Sequence, residues 1–382
     1  MPTSDNDSSG NRIVTLTLNG RFLTQRITGV QRYALEMLLA IDALLAKGKS
    51  STLLEAELLV PPNAPENLPT LQTIAIRRVG RLHGHPWEQV ELPRFARGLV
   101  LNFCNTFPVA LGRQVVVVHD ASIYACPEGY TGPFRAYYRT LFAIAARRPG
   151  IRIATDSEFS RMELKRFAEF NPSRMTVIPC GANHWDNIKP DTGILDRLNL
   201  TKRRFLLAVG SANKNKNIAR LIKAYLKLDR QDVPLVLAGG ANSNVFSGVE
   251  FEKSDQLIRT GYLSDAELAA LYSNAWAFVF PSLYEGFGLP PLEAMHFGCP
   301  VICSRAASVP EVAGDAALYC NAQDVDDIAA CLRKVIEDEA LRRSLTERGA
   351  LQAAKFTWQS SAEKMLQLAL TAHPDPGFTS NP

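Results

Sequence analysis

Two glutamates in the segment PSLYEGFGLPPLEAMHFGCP (281–300) have the types and spacing best suited to chemistry. Glu285 follows the apolar run AWAFVF, which predicts a buried strand, and Glu293 follows after seven intervening residues, inside a predicted helix. By spacing alone, two such glutamates are typical of a solvated helix face. The strand, glycines and prolines around them favour a ligand site at the end of a strand instead.

The turn between the two glutamates is suited to an anion. Gly286 and Gly288 let the backbone approach a ligand closely, and Pro290 suits the first turn of a helix. Backbone N–H groups at a helix start attract anions such as a diphosphate. Because carboxylates repel phosphate, we expect both glutamates to meet hydroxyl groups on either side of it. A sugar on one side and a ribose on the other indicate a nucleotide sugar.

A lysine supplies the matching positive charge. Lys216 lies between a predicted strand that ends near Gly210 and the start of a predicted helix, so its ammonium group is well placed to pair with phosphate oxygens. Lys214 is placed to share that charge. The simpler interpretation is that these lysines only solvate a loop.

His119 and Asp120 follow four consecutive valines, which predict a strand buried on both faces. Side chains that follow such a strand emerge at its carboxyl end, where doubly wound sheets bind ligands. The competing interpretation is a structural histidine that holds a loop carbonyl.

Both halves of the chain alternate short β-rich runs with amphipathic helical stretches, which predicts two doubly wound parallel sheets. The predicted strands are 13–18, 57–60, 73–76, 100–102, 115–118 and 151–155, then 205–209, 235–238, 257–260, 277–280 and 301–303. The aperiodic stretch 179–200 predicts the hinge, and 357–372 predicts a last helix that packs back across the cleft. Two such domains are expected to hold one ligand in the cleft between them.

Several segments of the chain resemble the retaining glycosyltransferases of family 4. The run EGFGLPPLEA (285–294) is similar to the donor-site signature of that family. The other similar segments are 209–225, 261–275 and 308–324 in the second half, and TGVQRYALEML (28–38), VVVVHD (115–120) and TDSEFSR (155–161) in the first. The resemblance covers most of the chain.

The resemblance implies the GT-B architecture, an α/β fold of two doubly wound, Rossmann-like domains with an interdomain cleft. It places an acceptor-binding domain at 1–185 and a domain that binds the nucleotide sugar at 186–356. Residues 357–382 would form the helix that crosses back, together with a tail.

The resemblance also implies roles for individual residues. Glu285 would contact hydroxyls of the donor sugar near the reacting carbon, Glu293 the ribose, and Lys216 the leaving diphosphate. His119 would lie beside the transferred sugar. Further donor contacts are implied for Gly29, Gly210, Ser211, Gly286, Phe287, Gly288 and Leu289.

The chain departs from the family pattern at two positions. Many members have an arginine close to the position of Ser211, so here Lys216 is expected to neutralise the diphosphate with less help. Gly29 opens the predicted helix 30–47, and where relatives often have a second small residue Gln31 stands, so no role is assigned to Gln31.

The resulting hypothesis is a hexosyltransferase that acts with retention, without a protein nucleophile and without a metal cofactor, in surface polysaccharide synthesis. The expected partners are a nucleoside diphosphate sugar, with mannose from GDP-mannose as the first choice, and a saccharide or lipid-linked oligosaccharide. Three alternatives stay open: a UDP- or dTDP-sugar donor, a nucleotide-sugar epimerase, and an inactive subunit that only binds sugar nucleotides.

Composition limits the remaining classes of protein. The chain has 382 residues and a net charge of +4, and residues 1–190 contain 22 Lys and Arg against 16 Asp and Glu. That excess is too mild for a duplex-binding protein, so no nucleic acid partner is expected. Neither a secretory signal nor an apolar run of about 18 residues is found, which predicts a cytoplasmic protein. Seven cysteines without short metal spacing predict reduced core residues.

A predicted helix at 133–148 combines an apolar stripe with arginines on the other side. With the basic residues of 77–97 it would fit an anionic membrane face or a lipid diphosphate. The simpler interpretation, which we prefer, is a stripe packed on the sheet and solvated arginines. Trp87 and Glu88 in that region, with Asp120, are predicted to border an acceptor pocket.

A DxD triplet binds Mn or Mg in another class of glycosyltransferases, and Asp324-Val325-Asp326 matches it. The triplet precedes an amphipathic stretch, 328–336, so we interpret it as a helix N-cap with acids in the first turn. A second triplet, Asp5-Asn6-Asp7, lies in the N-terminal tail. No metal site is predicted.

Overall fold

The computed structural model describes residues 13–48, 53–200, 204–210, 213–228, 230, 232–239 and 256–372. These residues form two compact units. Unit 1 contains the described residues of 1–124, 130–180 and 358–382, and unit 2 those of 125–129 and 181–357.

Seven strands form the sheet of unit 1, and all its neighbours pair in parallel. They are β1 (Ile13–Asn19), β2 (Leu53–Val60), β3 (Ala75–Arg78), β4 (Leu99–Asn102), β5 (Gln114–Val117), β6 (Ile151–Thr155) and β7 (Met175–Val177). Their order is β3-β2-β1-β4-β5-β6-β7, so the order reverses between β1 and β4. Doubly wound sheets bind ligands outside the carboxyl ends of the strands at such a switch point.

The sequence of β5 and its surroundings shows why this sheet is parallel and covered on both faces. Val115 through Val118 are completely buried, as expected for a strand with helices on either side. Gly98, just before β4, allows the close approach of β4 to β1. Its φ is +64°, and an added Cβ would lie 2.0 Å from the Thr15 carbonyl oxygen.

Six strands form the parallel sheet of unit 2. They are β8 (Leu206–Val209), β9 (Leu235–Ala238), β10 (Leu257–Gly261), β11 (Ala277–Phe280), β12 (Val301–Ser304) and β13 (Ala317–Cys320). Their order is β10-β9-β8-β11-β12-β13, which puts the switch point of this unit between β8 and β11.

Helices connect the strands in both units. They are α1 (Gly29–Ala46), α2 (Gly84–Pro86), α3 (Leu92–Phe95), α4 (Ser122–Ala125), α5 (Gly132–Arg147), α6 (Glu158–Ala168), α7 (Gly193–Arg197), α8 (Ile218–Leu226), α9 (Asp265–Asn274), α10 (Leu289–His296), α11 (Val309–Ala313), α12 (Val325–Glu337), α13 (Glu339–Ala353) and α14 (Trp358–Ala372). Short 3-10 turns lie at Gly20–Thr24, Pro127–Gly129, Pro172–Arg174, Asn183–Trp185, Lys214–Lys216 and Gly314–Ala316, and a π turn at Trp87–Glu91.

The last helix, α14, belongs to unit 1 although it follows unit 2 in the chain. Trp358 and Met365 on α14 are buried, and the Trp358 ring meets the Tyr33 ring of α1 edge-on at 5.5 Å between centroids. Ser361 Oγ donates a hydrogen bond to the Pro179 carbonyl oxygen at 2.6 Å.

All eleven predicted strands overlap observed ones, although the predicted strand 73–76 shares only two residues with β3. The strands β7 and β13 are absent from the predicted set. The two units divide between residues 180 and 181, inside the stretch predicted as a hinge. The domain boundary was predicted five residues later, between 185 and 186. Most of that stretch is an ordered part of unit 2. Trp185 is buried, and Asp191 N donates to the Ala266 carbonyl oxygen at 2.9 Å.

The apolar stripe of α5 packs in the core of unit 1, as the simpler interpretation expects: Leu141, Phe142 and Ala145 are buried. Some basic residues of 77–97 are also tied to the fold. Arg77 pairs with Glu57 at 2.9 Å, and Arg78 donates to the carbonyl oxygens of residues 62, 64 and 65.

None of the described helices is long and apolar enough to cross a membrane. All seven cysteines lie within the described residues; none forms a disulfide, and five are buried. Asp324 caps α12 by accepting hydrogen bonds from the backbone N–H groups of Asp326 and Asp327, so the DxD triplet begins a helix.

Candidate active site

The loops that follow β8 and β11 meet at the switch point of unit 2. Leu283 N donates to the Asn215 carbonyl oxygen at 2.7 Å, and Asn215 Nδ2 donates to the Tyr284 carbonyl oxygen at 3.0 Å. Asn217, in the left-handed region with φ 58°, donates from Nδ2 to the Pro281 carbonyl oxygen at 3.0 Å. These bonds fix the loop that carries Lys216 against the loop that carries Glu285.

Lys216 and Glu285 form an ion pair across these two loops. Lys216 Nζ lies 2.8 and 3.0 Å from the two Glu285 carboxylate oxygens, and it also lies 5.1 Å from the centre of the Phe280 ring. The two side chains are 19% and 12% exposed. The structure therefore brings together the predicted sugar-binding acid and the predicted phosphate-binding base, each as the other's partner.

Two glycines allow close packing next to Lys216. Gly239, at the end of β9 with φ +129°, approaches the end of β8 so closely that an added Cβ would lie 2.2 Å from the Gly210 carbonyl oxygen. At Gly210 itself an added Cβ would contact the Lys216 side chain at 3.5 Å. The predicted contact Ser211 lies outside the described residues.

The turn into α10 is held by its backbone. Gly288 is the N-cap and has φ 107°, a conformation that favours glycine. Ser308 Oγ donates to the carbonyl oxygens of Glu285 and Phe287 at 2.9 and 2.7 Å. Because Ser308 is completely buried, this contact fixes the path of the loop between Glu285 and α10.

Prolines reduce the number of donors at the start of α10. Pro290 and Pro291 occupy the first turn after Leu289 and have no N–H group, so two of the four terminal donors of an ordinary helix are missing. The predicted anion site therefore depends on Gly288, Leu289 and the helix dipole, and needs the charge of Lys216 more than an ordinary helix start would.

Glu293 is buried inside α10 and is not on a solvated face. Tyr272 donates from its hydroxyl to Glu293 Oε2 at 3.2 Å, and His184 Nε2 lies 3.4 Å from Glu293 Oε1. Burial first, and the neighbouring Glu293 carboxylate second, raise the pKa of Tyr272 well above its usual value. Tyr272 therefore keeps its proton and holds the Glu293 carboxylate in place.

His119 is held at both ring nitrogens. Nδ1 lies 2.7 Å from Asp156 Oδ2, and Nε2 lies 2.9 Å from the Phe103 carbonyl oxygen. Burial by itself lowers the pKa of His119, but the Asp156 carboxylate and the Phe103 carbonyl outweigh burial and raise it. These contacts match the geometry of the competing interpretation, a histidine that holds a loop carbonyl.

A pocket of about 220 Å³ lies at the switch point of unit 1. Its lining includes Arg21 after β1, Asn105 after β4, and His119 and Asp120 after β5. Asp120 Oδ1 accepts a hydrogen bond from Ser122 N at 2.8 Å. The predicted acceptor residue Asp120 is therefore part of a pocket.

Two other predicted acceptor residues are in the core of unit 1. Trp87 is completely buried, and its indole N–H donates to the Val79 carbonyl oxygen at 2.9 Å. Glu88 is 1% exposed, and one of its carboxylate oxygens accepts from Arg21 Nε at 3.1 Å and from Asn19 Nδ2 at 2.8 Å. Neither side chain is part of the lining of the pocket at the switch point of unit 1.

The start of α1, where Gly29 was expected to approach phosphates, is covered by side chains. Gln31 Oε1 accepts from Thr28 N at 3.3 Å, and Gln31 Nε2 donates to Gln25 Oε1 at 3.0 Å. An added Cβ at Gly29 would meet nothing within 4 Å, so packing does not require glycine there. Gln31, the departure from the family pattern, caps its own helix.

Comparison with known proteins identifies the family. The family model of the glycosyl transferases group 1 matches residues 194–352. The O-antigen chain mannosyltransferase B of Escherichia coli is 35% identical over 287 residues, which cover 72% of this chain and 75% of that protein. The chain belongs to the group 1 glycosyltransferases.

Another relative is also a named mannosyltransferase, and solved structures share the fold. The serotype-specific mannosyltransferase WbdA of Escherichia coli is 32% identical over 67% of this chain, which spans only 33% of WbdA. The sucrose-phosphate synthase of Thermosynechococcus elongatus superposes with a TM-score of 0.72 at 19% identity, covering 94% of this chain and 98% of that one. WaaG, a glycosyltransferase involved in lipopolysaccharide biosynthesis, superposes with a TM-score of 0.69 at 16% identity, covering 94% and 99%.

These findings confirm the predicted family, the GT-B fold of two parallel α/β domains and the enzyme class. The chain is a hexosyltransferase, a glycosyltransferase of polysaccharide biosynthesis.

The sequence analysis missed several residues that position this glycosyltransferase site. Asn217 adopts the left-handed conformation that asparagine tolerates, a signal visible in the KNKN run. Ser308 and Asp156 lie in segments that resemble the family but had no assigned role. Tyr272 also lies in such a segment, 261–275, without an assigned role. Arg21 carried no signal, because its partners are distant in sequence.

Proposed function

We propose that this glycosyltransferase moves a mannosyl group from GDP-mannose, with retention, to a saccharide or lipid-linked oligosaccharide in surface polysaccharide synthesis. The choice of mannose is supported by relatives named as mannosyltransferases, among them the O-antigen chain mannosyltransferase RfbU of Salmonella typhimurium, 29% identical over 62% of this chain. The observation that carries the proposed chemistry is the ion pair of Lys216 and Glu285 at the switch point of unit 2.

In this proposal the donor lies on unit 2. Lys216 faces the diphosphate together with the turn Gly286 to Leu289, beside Gly210. Glu285 faces hydroxyls of the sugar, and Glu293 those of the ribose. This placement is supported by the fixed loops. It is also supported by the buried Tyr272, whose hydroxyl donates to Glu293 and holds that carboxylate in place.

The reaction breaks the bond between the anomeric carbon and a diphosphate oxygen, which keeps the electron pair. The acceptor oxygen forms the new bond on the same face of the sugar, and its proton passes to an oxygen of the departing diphosphate. Lys216 and the positive end of α10 stabilise the charge that develops on the diphosphate. Glu285 positions the sugar, and no protein nucleophile takes part.

His119 and Gly29 stay predicted donor contacts. Both ring nitrogens of His119 already have partners within unit 1, so its role beside the sugar requires that Nε2 exchange the Phe103 carbonyl for a sugar hydroxyl. A His119→Gln variant, which keeps one donor and one acceptor, tests that role through the kcat for transfer.

No metal cofactor takes part in the proposed reaction, because Lys216 and α10 supply the positive charge. Peripheral contact with an anionic membrane face is also proposed; cosedimentation with vesicles of phosphatidylglycerol, compared with phosphatidylcholine, tests it. Binding to neither kind of vesicle would refute membrane contact and leave the transferase proposal intact.

The donor is tested by thermal shift with GDP, UDP and dTDP. A nucleotide at 100 times its dissociation constant stabilises the protein by roughly 2.7 kcal/mol. We expect GDP to give the largest shift, and transfer from GDP-mannose to give an α-linked product by NMR. A larger shift with UDP or dTDP would show that the donor is a UDP- or dTDP-sugar and not GDP-mannose. Conversion of the donor sugar without acceptor would indicate an epimerase. Binding of the nucleotide sugar without turnover would indicate an inactive subunit.

A further inference from the structure

The pocket of unit 1 lies where a doubly wound sheet binds ligands. Arg21, Asn105 and His119 follow β1, β4 and β5 at the reversal of strand order. Its volume of about 220 Å³ is that of roughly seven water molecules at about 30 Å³ each. A single sugar ring is of this size, and a disaccharide is larger.

The two cations of this pocket are already compensated. Arg21 Nε lies 3.1 Å from Glu88 Oε1, with side chains 6% and 1% exposed, and Arg21 Nη2 donates to Thr106 Oγ1 at 2.8 Å. His119 pairs with Asp156 at 2.7 Å. Neither cation carries an excess positive charge toward a ligand.

One carboxylate in the pocket has no such partner. Asp120 accepts only the backbone N–H of Ser122, and within the described ranges it makes no ion pair. Counted with Glu88 and Asp156, which lie beside the pocket and compensate Arg21 and His119, the charged groups in and next to the pocket sum to one negative charge. The Asp120 carboxylate therefore repels a phosphate group and can accept hydrogen bonds from hydroxyl groups.

Part of the pocket lining is aromatic. The rings of Tyr130 and Phe134 stack at 5.4 Å between centroids, and those of Phe134 and Tyr138 at 4.2 Å. This aromatic ladder, with the buried Phe142 ring below it, gives an apolar surface. A pyranose ring presents both kinds of surface that such a pocket requires, because its C–H groups pack on apolar walls while its hydroxyls donate to carboxylates.

We propose that this pocket binds one uncharged pyranose residue at the end of the acceptor, and that Asp120 excludes acceptors with a phosphorylated terminal residue. This inference rests on the proposed hexosyl transfer and specifies its acceptor. Asp120 accepts hydrogen bonds from the pyranose hydroxyls, and the aromatic ladder covers one face of the ring.

The test compares methyl α-D-mannopyranoside with mannose 6-phosphate, as ligands in saturation-transfer NMR and as acceptors in transfer from GDP-mannose. We expect the wild-type protein to bind the glycoside at least tenfold more tightly than the phosphate. In Asp120→Asn the KM for the glycoside should rise about tenfold, the scale of one hydrogen bond to a charged group, and the preference over the phosphate should fall by a similar factor.

Glu66→Gln is the matched control, because it removes one negative charge from an exposed position of the same unit. We expect it to keep the wild-type KM. Phe134→Leu, at a residue that is 39% exposed, shortens the aromatic ladder without opening the core and should also raise the KM for the glycoside.

Equal affinity of the wild-type protein for both ligands would overturn the proposal, as would an unchanged KM in both Asp120→Asn and Phe134→Leu. Failure of the proposed function gives a different result. In that case the wild-type protein binds neither GDP nor GDP-mannose, whereas glycoside binding to unit 1 is measured without any nucleotide.

Discussion

Replacement of Lys216 by methionine separates the stability of the donor site from its chemistry. Methionine keeps the apolar stem against Phe280 and removes only the charge, so Glu285 loses its partner at 2.8 Å. Exposed ion pairs contribute about 0.2–1 kcal/mol, and loss of one partner of a buried pair costs about 3–5 kcal/mol. The Lys216 and Glu285 side chains are 19% and 12% exposed, which is between those two cases. We therefore expect Lys216→Met to lower the free energy of unfolding by about 2 kcal/mol.

For a unit of this size, that loss lowers the melting temperature by about 4–8 °C, since each kcal/mol shifts it by about 2–4 °C. The double variant Lys216→Met/Glu285→Gln has no lone carboxylate and should recover most of the stability. Both variants should transfer mannose about 100- to 1,000-fold more slowly, the scale of one lost charge-stabilising group. Urea unfolding and initial rates of transfer from GDP-mannose measure the two effects on the same samples.

Lys227→Met is the control, because Lys227 pairs with Asp326 on the surface with side chains 53% and 78% exposed. It should change neither stability nor rate measurably. The reasoning fails if the double variant is as unstable as Lys216→Met, since the two charges would then not be partners. A normal kcat in Lys216→Met would refute its role on the leaving diphosphate.

Three further predictions concern pH, backbone and metal. The pKa of His119 is raised against the effect of burial by Asp156, so the protonation of His119 stabilises the protein fully below about pH 6.5, and that stabilisation is lost as pH rises through the higher folded pKa. Burial also raises the pKa of Asp156, which likewise makes stability fall as pH rises. Urea unfolding between pH 6 and 9 should show that decline in the wild-type protein and a flatter profile in Asp156→Asn; identical profiles would contradict it. Gly98→Ala places a Cβ against a carbonyl oxygen and should lower the melting temperature, whereas Gly29→Ala, with open space around it, should not. Transfer should continue at the wild-type rate in EDTA, and a loss restored by Mn²⁺ or Mg²⁺ would show that a metal is required.

Most of the fold was predictable because its strands are continuous apolar runs. Val115 to Val118 and the run before Glu285 can only be buried strands, and parallel pairing follows from the helices between them. The strands β7 and β13 have three and four residues and lie at the ends of their sheets. Such short edge strands carry too few residues for a pattern, and only pairing with a neighbour defines them.

The candidate site was predictable in its residue types but not in its contacts. Glu285 and Lys216 follow strands that the sequence predicts, so their place at one edge of a sheet could be expected. Their mutual ion pair spans 69 positions of sequence and depends on how two loops are fixed by Asn215, Asn217 and Ser308. No local sequence pattern predicts this ion pair or the loop contacts that hold it.

The acceptor residues were less predictable, because burial of polar groups depends on distant partners. Glu88 resembles an exposed acid in a basic segment, yet Asn19, Arg21 and Thr106 surround it from elements up to 69 positions away. Trp87 next to it fills the core, as a large apolar side chain does when its N–H finds a carbonyl. The lining of the pocket in unit 1 includes Phe134, Tyr138 and Phe142 of α5, whose apolar stripe was predicted either to meet a membrane face or lipid diphosphate or, by preference, to pack on the sheet.

The return of α14 to unit 1 bears on the order in which the protein folds during synthesis. Unit 2 is nearly continuous, so the ribosome delivers almost all of it in one stretch, 181–357. Unit 1 begins first but lacks Trp358, Ala362 and Met365, which are buried in it, until unit 2 has been synthesised. During synthesis Tyr33 of unit 1 therefore stays uncovered by Trp358 until unit 2 has been made. A ribosome that stops before codon 358 releases a chain in which unit 1, although synthesised first, is the incomplete unit.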